Sequence, residues 1–261
     1  MGRGPAVGWM KVVEVDHPRV RARLAIAGFA GVAGVGERSI YYLTRALGAS
    51  EIASIYSEHI MLSPASTGIS VNKDGTFDLP SVKIYYAGSP ESLLLVTCPV
   101  QPATLGQMEV AHRVMDLLRE RGVEKLIVIT GLHDEDRAGQ VLVFGEDEEL
   151  VSRLVSAGAR RGEPMRTIVG LAGVLLALAK LEGLAIVSVT GASEDAHFDP
   201  RATREVLRVL SRAMNLELDL AEVDREVQVY EEFKRTILRE IERQILSSLG
   251  RQRPPETDYV G

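Results

Sequence analysis

The stretch 24–42, LAIAGFAGVAGVGERSIYY, joins an apolar run to a glycine-rich turn and then to a helical pattern. Leu24, Ala25, Ile26 and Ala27 have the unbroken apolar character of a strand buried on both faces. Gly28, Gly31, Gly34 and Gly36 follow, and Ile40, Leu43 and Leu47 then recur at the spacing of one helix face. Strand, glycine turn and helix in that order open an α/β unit. A dinucleotide fold would hold its pyrophosphate here, which needs Gly-x-Gly-x-x-Gly so that backbone can approach the ligand at the helix N-terminus. The nearest register, Gly34-Val35-Gly36-Glu37-Arg38-Ser39, has serine in place of the third glycine and a carboxylate in the first helical turn, where it would repel a phosphate. Gly28, Gly31, Gly34 and Gly36 are therefore expected to serve close chain packing and turn geometry. A ligand loop is the alternative reading.

Outward from this stretch, apolar runs alternate with helical patterns. Strands are expected at 52–57, 92–98, 125–130, 140–144 and 185–190, and helices at 37–47, 105–121, 147–157, 171–181 and 199–214. The runs LLLVTC, KLIVIT and AIVSVT lack polar alternation, as strands covered on both faces should. The fold class is α/β, with a mostly parallel central sheet flanked by helices. Between Ile69 and Tyr86 the order breaks into a hairpin around Asn72-Lys73-Asp74-Gly75, a second count against a dinucleotide fold. From 219 to 249 no strand signal remains. Leu220, Val223, Val227, Tyr230, Ile237 and Ile241 mark one seam of a long amphipathic helix, interrupted by Lys234 and Gln244. Such a seam suits packing on the body or on another subunit better than a free coiled coil. Residues 250–261 contain Pro254-Pro255 and few apolar groups, and are expected to form a flexible tail. The chain thus divides into an α/β domain (1–218), an oligomerisation or packing helix (219–249) and a tail (250–261).

The 261 residues carry a net charge of −6, with no Lys/Arg stripe, which argues against nucleic acid or an anionic membrane as partner. Cys98 is the single cysteine, so no intrachain disulfide or cysteine-based zinc site can form. With no signal-peptide pattern at the N-terminus and no apolar run near the ~20 residues that span a bilayer, a cytoplasmic protein is expected.

Three constellations could carry chemistry. His133-Asp134-Glu135-Asp136-Arg137 follows the KLIVIT strand, where α/β folds place their sites, and reads as a solvated acidic turn or a divalent-metal loop. Asp195, His197 and Asp199 have alternate spacing that could point at one metal, but Asp199 before Pro200 is simply explained as a helix N-cap. Cys98 closes an apolar strand and reads as an inert buried thiol. No catalytic residue, metal ligand or cofactor is assigned.

Several segments together resemble the proteasome assembly chaperone 2 family, in particular its archaeal members. They are GFAGVAGVG (28–36), Gln101-Pro102 after LLLVTCPV, ITGL (129–132), Ile168 to Gly173 opening an apolar helix, and Asp199 with Ala202 opening the next. The resemblance implies a phosphorylase-like α/β fold without established catalysis, acting as a homo-oligomer that binds proteasome α subunits. It also implies a C-terminal tail of hydrophobic residue, tyrosine and any residue. Here Tyr259, Val260 and Gly261 end the chain, so tyrosine stands third from the end and follows Asp258. These three residues are the expected partner contact. The competing expectation is a small-molecule or nucleotide-binding enzyme, ligase-like or phosphorylase-like, using the glycine loop and the strand-end acids.

Overall fold

The computed structural model describes residues 9–15, 20–61, 63, 68–89, 91–163 and 167–250, with side chains as far as 244 in the last helix. The strands are β1 (Met10–Glu14), β2 (Leu24–Phe29), β3 (Ser50–Ser57), β4 (Ser70–Val71), β5 (Phe77–Asp78), β6 (Val82–Ala87), β7 (Leu93–Cys98), β8 (Lys125–His133), β9 (Val141–Gly145), β10 (Arg160–Arg161) and β11 (Ala185–Ser193). The helices are α1 (Val35–Ala46), α2 (Glu58–Met61), α3 (Gln107–Glu120), α4 (Glu148–Ser156), α5 (Gly170–Leu181), α6 (Pro200–Met214) and α7 (Ala221–Gly250). Nine strands form one sheet in the order β1-β3-β6-β7-β2-β8-β11-β9-β10.

The middle of the sheet is parallel. Leu24 of β2 lies beside Leu93 of β7 on one side and Lys125 of β8 on the other, and β8 pairs in parallel with β11. These strands are the apolar runs of the sequence, and their alternate side chains feed two cores. Ile26, Leu95, Ile127 and Val187 pack on one face with Ile40 and Leu43 of α1, Leu154 of α4 and Val206 and Leu210 of α6. Ala25, Ala27, Leu94 and Val128 pack on the other with Val114 and Leu118 of α3 and Leu171 and Leu175 of α5. Each fully buried Leu, Ile or Val contributes about 1.5–3 kcal/mol by leaving water.

The flanks are antiparallel: β6 on β7, β3 on β6, β1 on β3, and β9 on β11. Strands β1, β6 and β10 lie outside the strands expected from the sequence pattern. The 70s segment forms the expected hairpin, with Asn72 N–H donating to Thr76 C=O at 2.8 Å and Gly75 at φ 83°. No helix among the described residues is long and apolar enough to cross a membrane.

Candidate functional site

The glycine turn is shaped by how closely its backbone is crossed. A Cβ on Gly28 would lie 2.2 Å from the Gly36 carbonyl oxygen. One on Gly36 would lie 2.7 Å from the Phe29 oxygen and 2.9 Å from the Ile129 oxygen, so α1 enters directly against β2 and β8. Gly34 takes φ 68°, in the left-handed region that disfavours a side chain. Gly31, at φ 177° and with its nearest such contact at 3.8 Å, is constrained by neither. At Gly131 a Cβ would meet the Val32 oxygen at 2.1 Å, so the turn also lies against the end of β8.

The turn is tied to its surroundings by specific bonds. Ala33 N–H donates to Ala196 C=O at 2.8 Å, joining it to the loop after β11. Gln101 reaches across from the loop after β7: its Nε2 donates to Ala30 C=O, and its Oε1 accepts from the Leu171 N–H at 3.0 Å. One amide thereby links the glycine turn to the first turn of α5. Between them, at the carboxyl ends of the parallel strands, opens a cavity of about 360 Å3. Phe29, Ile129, Thr130, Ile168 and Thr190 help line it, and the two threonine hydroxyls hydrogen-bond each other at 2.8 Å.

The acidic segments are occupied by local partners. Asp134 accepts from Arg137 at its N–H (3.2 Å) and Nη1 (2.8 Å), and Arg137 Nη2 also donates to Glu163 at 2.6 Å. Asp195 Oδ1 accepts from the His197 and Phe198 N–H groups at 2.8 and 3.3 Å, and these bonds hold its carboxyl below the ordinary aspartate range. Asp199, 1% exposed, caps α6: Oδ1 accepts from the Arg201 N–H at 3.0 Å and Nε at 2.9 Å, while Oδ2 accepts from Ser193 Oγ at 2.9 Å. Asp195, His197 and Asp199 are therefore not brought together as ligands, and no group of three or more His, Cys, Asp or Glu side chains among the described residues could hold a metal ion. Cys98 is buried, and burial pushes its thiol up to about 12.

The last helix has two halves. Val223, Val227 and Tyr230 are buried against the body. Around them Arg38 of α1 pairs with Glu226, Lys234 pairs with Glu194, and the Tyr230 ring sits edge-on to Phe198 at 5.8 Å with the Arg201 guanidinium over it at 5.0 Å. Val229 and Phe233 face away from the body, 67% and 62% exposed. Beyond Lys234 the seam loses its cover, and Ile237, Leu238 and Ile241 are 41–55% exposed. Tyr259, Val260 and Gly261 lie outside the described residues. In the sequence Gln101-Pro102 carries no sign of its role, because the partners of Gln101, Ala30 and Leu171, are remote in the chain. The Thr130–Thr190 pair had no local signal either.

A family model described as the PAC2 family matches residues 25–237. The chain belongs to the PAC2 family. The resemblance read from the glycine turn and the later motifs is thereby borne out. A PAC2-like architecture is also seen in solved structures. Pyrococcus furiosus PbaB, described as an archaeal proteasome activator, superposes with a TM-score of 0.78 at 27% identity, covering 87% of this chain and 98% of PbaB. Pyrococcus furiosus PbaA, described as an archaeal homolog of proteasome-assembly chaperone, gives a TM-score of 0.73 at 23% identity, over 96% of this chain and 99% of PbaA. Among sequences, the uncharacterized protein MJ1210 of Methanocaldococcus jannaschii is 23% identical over 243 residues, 91% of this chain and 92% of that protein. This PAC2 chain has the mixed α/β sheet of those structures, as expected from its alternating strands and helices.

Proposed function

We propose that this PAC2 protein is a non-catalytic proteasome assembly chaperone or proteasome-binding protein of the cytoplasm, working as a homo-oligomer on the proteasome α-ring. Family membership and the likeness to PbaB support the proteasome link. The observation that carries the mode of action is the exposed apolar face of α7 just beyond Lys234. Its first half is fastened to the body by Val223, Val227 and Tyr230, so Ile237, Leu238 and Ile241 are presented outward on an anchored rod. An apolar helix face of this kind is covered by other copies of itself in a closed, symmetric assembly. The tail leaves from the end of this rod, and Tyr259, Val260 and Gly261 are the proposed contact with α subunits. Neither nucleic acid nor membrane is a partner in this reading.

Light scattering on a chain ending at Lys234 tests the assembly. It keeps Val223, Val227 and Tyr230, the buried ones among the described side chains of α7, and should be folded and monomeric, whereas the full chain is expected to be a multimer. An unchanged mass would move the interface elsewhere. Ending the chain at Asp219 would be less informative, since it also strips the cover from α1 and α6. Binding of purified α-rings should fall about thirtyfold in Tyr259→Ala, the scale of losing one aromatic anchor. Equal binding by a chain ending at Pro255 would assign the contact to the globular body.

A further inference from the structure

A protein-binding role does not require the cavity beneath the glycine turn, yet the fold keeps about 360 Å3 open there. The carboxyl ends of parallel strands are where α/β folds accommodate ligands, and apolar walls with a few convergent polar groups are the usual make-up of a small-molecule site. The walls here are Phe29, Ile129, Ile168 and Ala172, with Phe144 across from them. Among its described lining residues there is no Asp, Glu, Lys or Arg, and the one titratable side chain, His133, is solvent-exposed. A carboxylate, phosphate or ammonium entering such a site would give up its water without a counter-charge, a cost far above that of burying a neutral amide that finds hydrogen bonds.

Apart from the exposed His133, the polar side chains on offer are hydroxyls and amides, neutral and able to donate or accept. Each hydroxyl of the Thr130–Thr190 pair can donate or accept, and Gln107, whose Nε2 donates to Pro102 C=O at 3.2 Å, retains its Oε1 as an acceptor. Gln101 spends its amide on Ala30 and Leu171, so it shapes the wall and does not read the ligand. Gly170 at the mouth takes φ 74°, and a Cβ there would lie 2.9 Å from Gln101 Oε1, so the wall and the bridging amide are fitted to each other. We propose that this cavity binds an uncharged, flat small molecule that presents a carboxamide or lactam edge to the Thr130–Thr190 pair. The site is one of binding, with no covalent step, and it is independent of the α7 assembly.

Benzamide, benzoate and benzamidine share ring and outline and differ in charge, so they probe this directly. In methyl NMR spectra of the full chain, benzamide should shift the Ile129 and Ile168 signals saturably, with a Kd of about 10 mM or tighter, the affinity a fragment of its size supports. Benzoate and benzamidine should bind at least about tenfold more weakly. Val169→Trp, at an exposed position on the cavity rim, should abolish the benzamide shift while leaving the ligand-free spectrum otherwise native. Thr190→Val, which keeps the shape and removes one hydroxyl, should weaken benzamide about tenfold. The proposal is overturned if benzamide produces no saturable shift, if either charged analogue binds as tightly, or if neither substitution changes benzamide binding.

Discussion

At the scale of single residues, the glycine turn separates two kinds of glycine that look alike in the sequence. Gly36 faces three backbone atoms of Phe29 and Ile129 within 3.0 Å of a hypothetical Cβ, and none of them can rotate away. Gly36→Ala should therefore force α1 off the sheet and lower stability by about 2 kcal/mol or more, the range of overpacking in a tight core. Gly31→Ala, in extended backbone with open space, should change it by less than about 0.5 kcal/mol. Equal unfolding midpoints in denaturant for the two variants would refute this division. Asp199 is a further single-residue case. Its carboxylate serves the α6 N-terminus, Ser193 and Arg201 together, so Asp199→Ala should cost about 2 kcal/mol, the upper end of cap losses. Asp199→Asn, which keeps an acceptor for the Arg201 N–H, should recover a measurable part of that loss in the same melt.

At the scale of elements, α7 is held to the body partly by charge, and this makes its docking sensitive to acid. Glu194 binds Lys234 and Arg201, and the hydrogen bonds and charges of both hold its carboxyl below the ordinary glutamate value of 4.5. A group whose pKa is lower in the folded state stabilises that state above its unfolded pKa, and the contribution is lost as pH falls through the folded value. Amide exchange across 221–234 should accordingly quicken as pH drops below about 4.5, after correction for intrinsic rates, and Glu194→Gln should show the faster exchange already at pH 7. A Glu194→Gln profile matching wild type at pH 7 would leave the anchoring to Val223, Val227, Tyr230 and the Arg38–Glu226 pair. The elements themselves were unevenly legible. Strands β2, β7, β8 and β11 announce themselves by unbroken apolar runs, and the α6 start by Asp199-Pro200. Strand β6 did not, because VKIYYA alternates burial within a hairpin-rich stretch. Strand β1 did not either, since a sheet edge with Lys11 and Glu14 has little hydrophobic signal. Nor does a sequence say which neighbour a strand will choose, so the antiparallel flanks and the cavity between Gln101, Thr130 and Thr190 became visible only in three dimensions.

At the scale of the whole molecule, the proposed function rests on several tails acting at once. One terminal contact binds weakly, and joining several on an assembly whose spacing matches a ring raises the avidity by ~10²- to 10⁴-fold. The paired substitution Ile237→Asp with Ile241→Asp spares the body and the tail while placing charge on the exposed seam. It should yield monomers that bind immobilised α-rings about a hundredfold more weakly than the wild-type assembly, with an unchanged thermal midpoint of the body. Undiminished α-ring binding by those monomers would show that a single copy suffices. The central position of β2 has a consequence of another kind, for the chain as it is made. Leu24 to Phe29 leave the ribosome before their pairing partners, Leu93 to Cys98 and Lys125 onward. Vectorial synthesis thus exposes a strand that the fold buries along its whole length, with no edge to dock on until Leu93 to Cys98 follow and no neighbour on its other side until Lys125 onward has been made. During that interval the nascent chain itself depends on being shielded from aggregation.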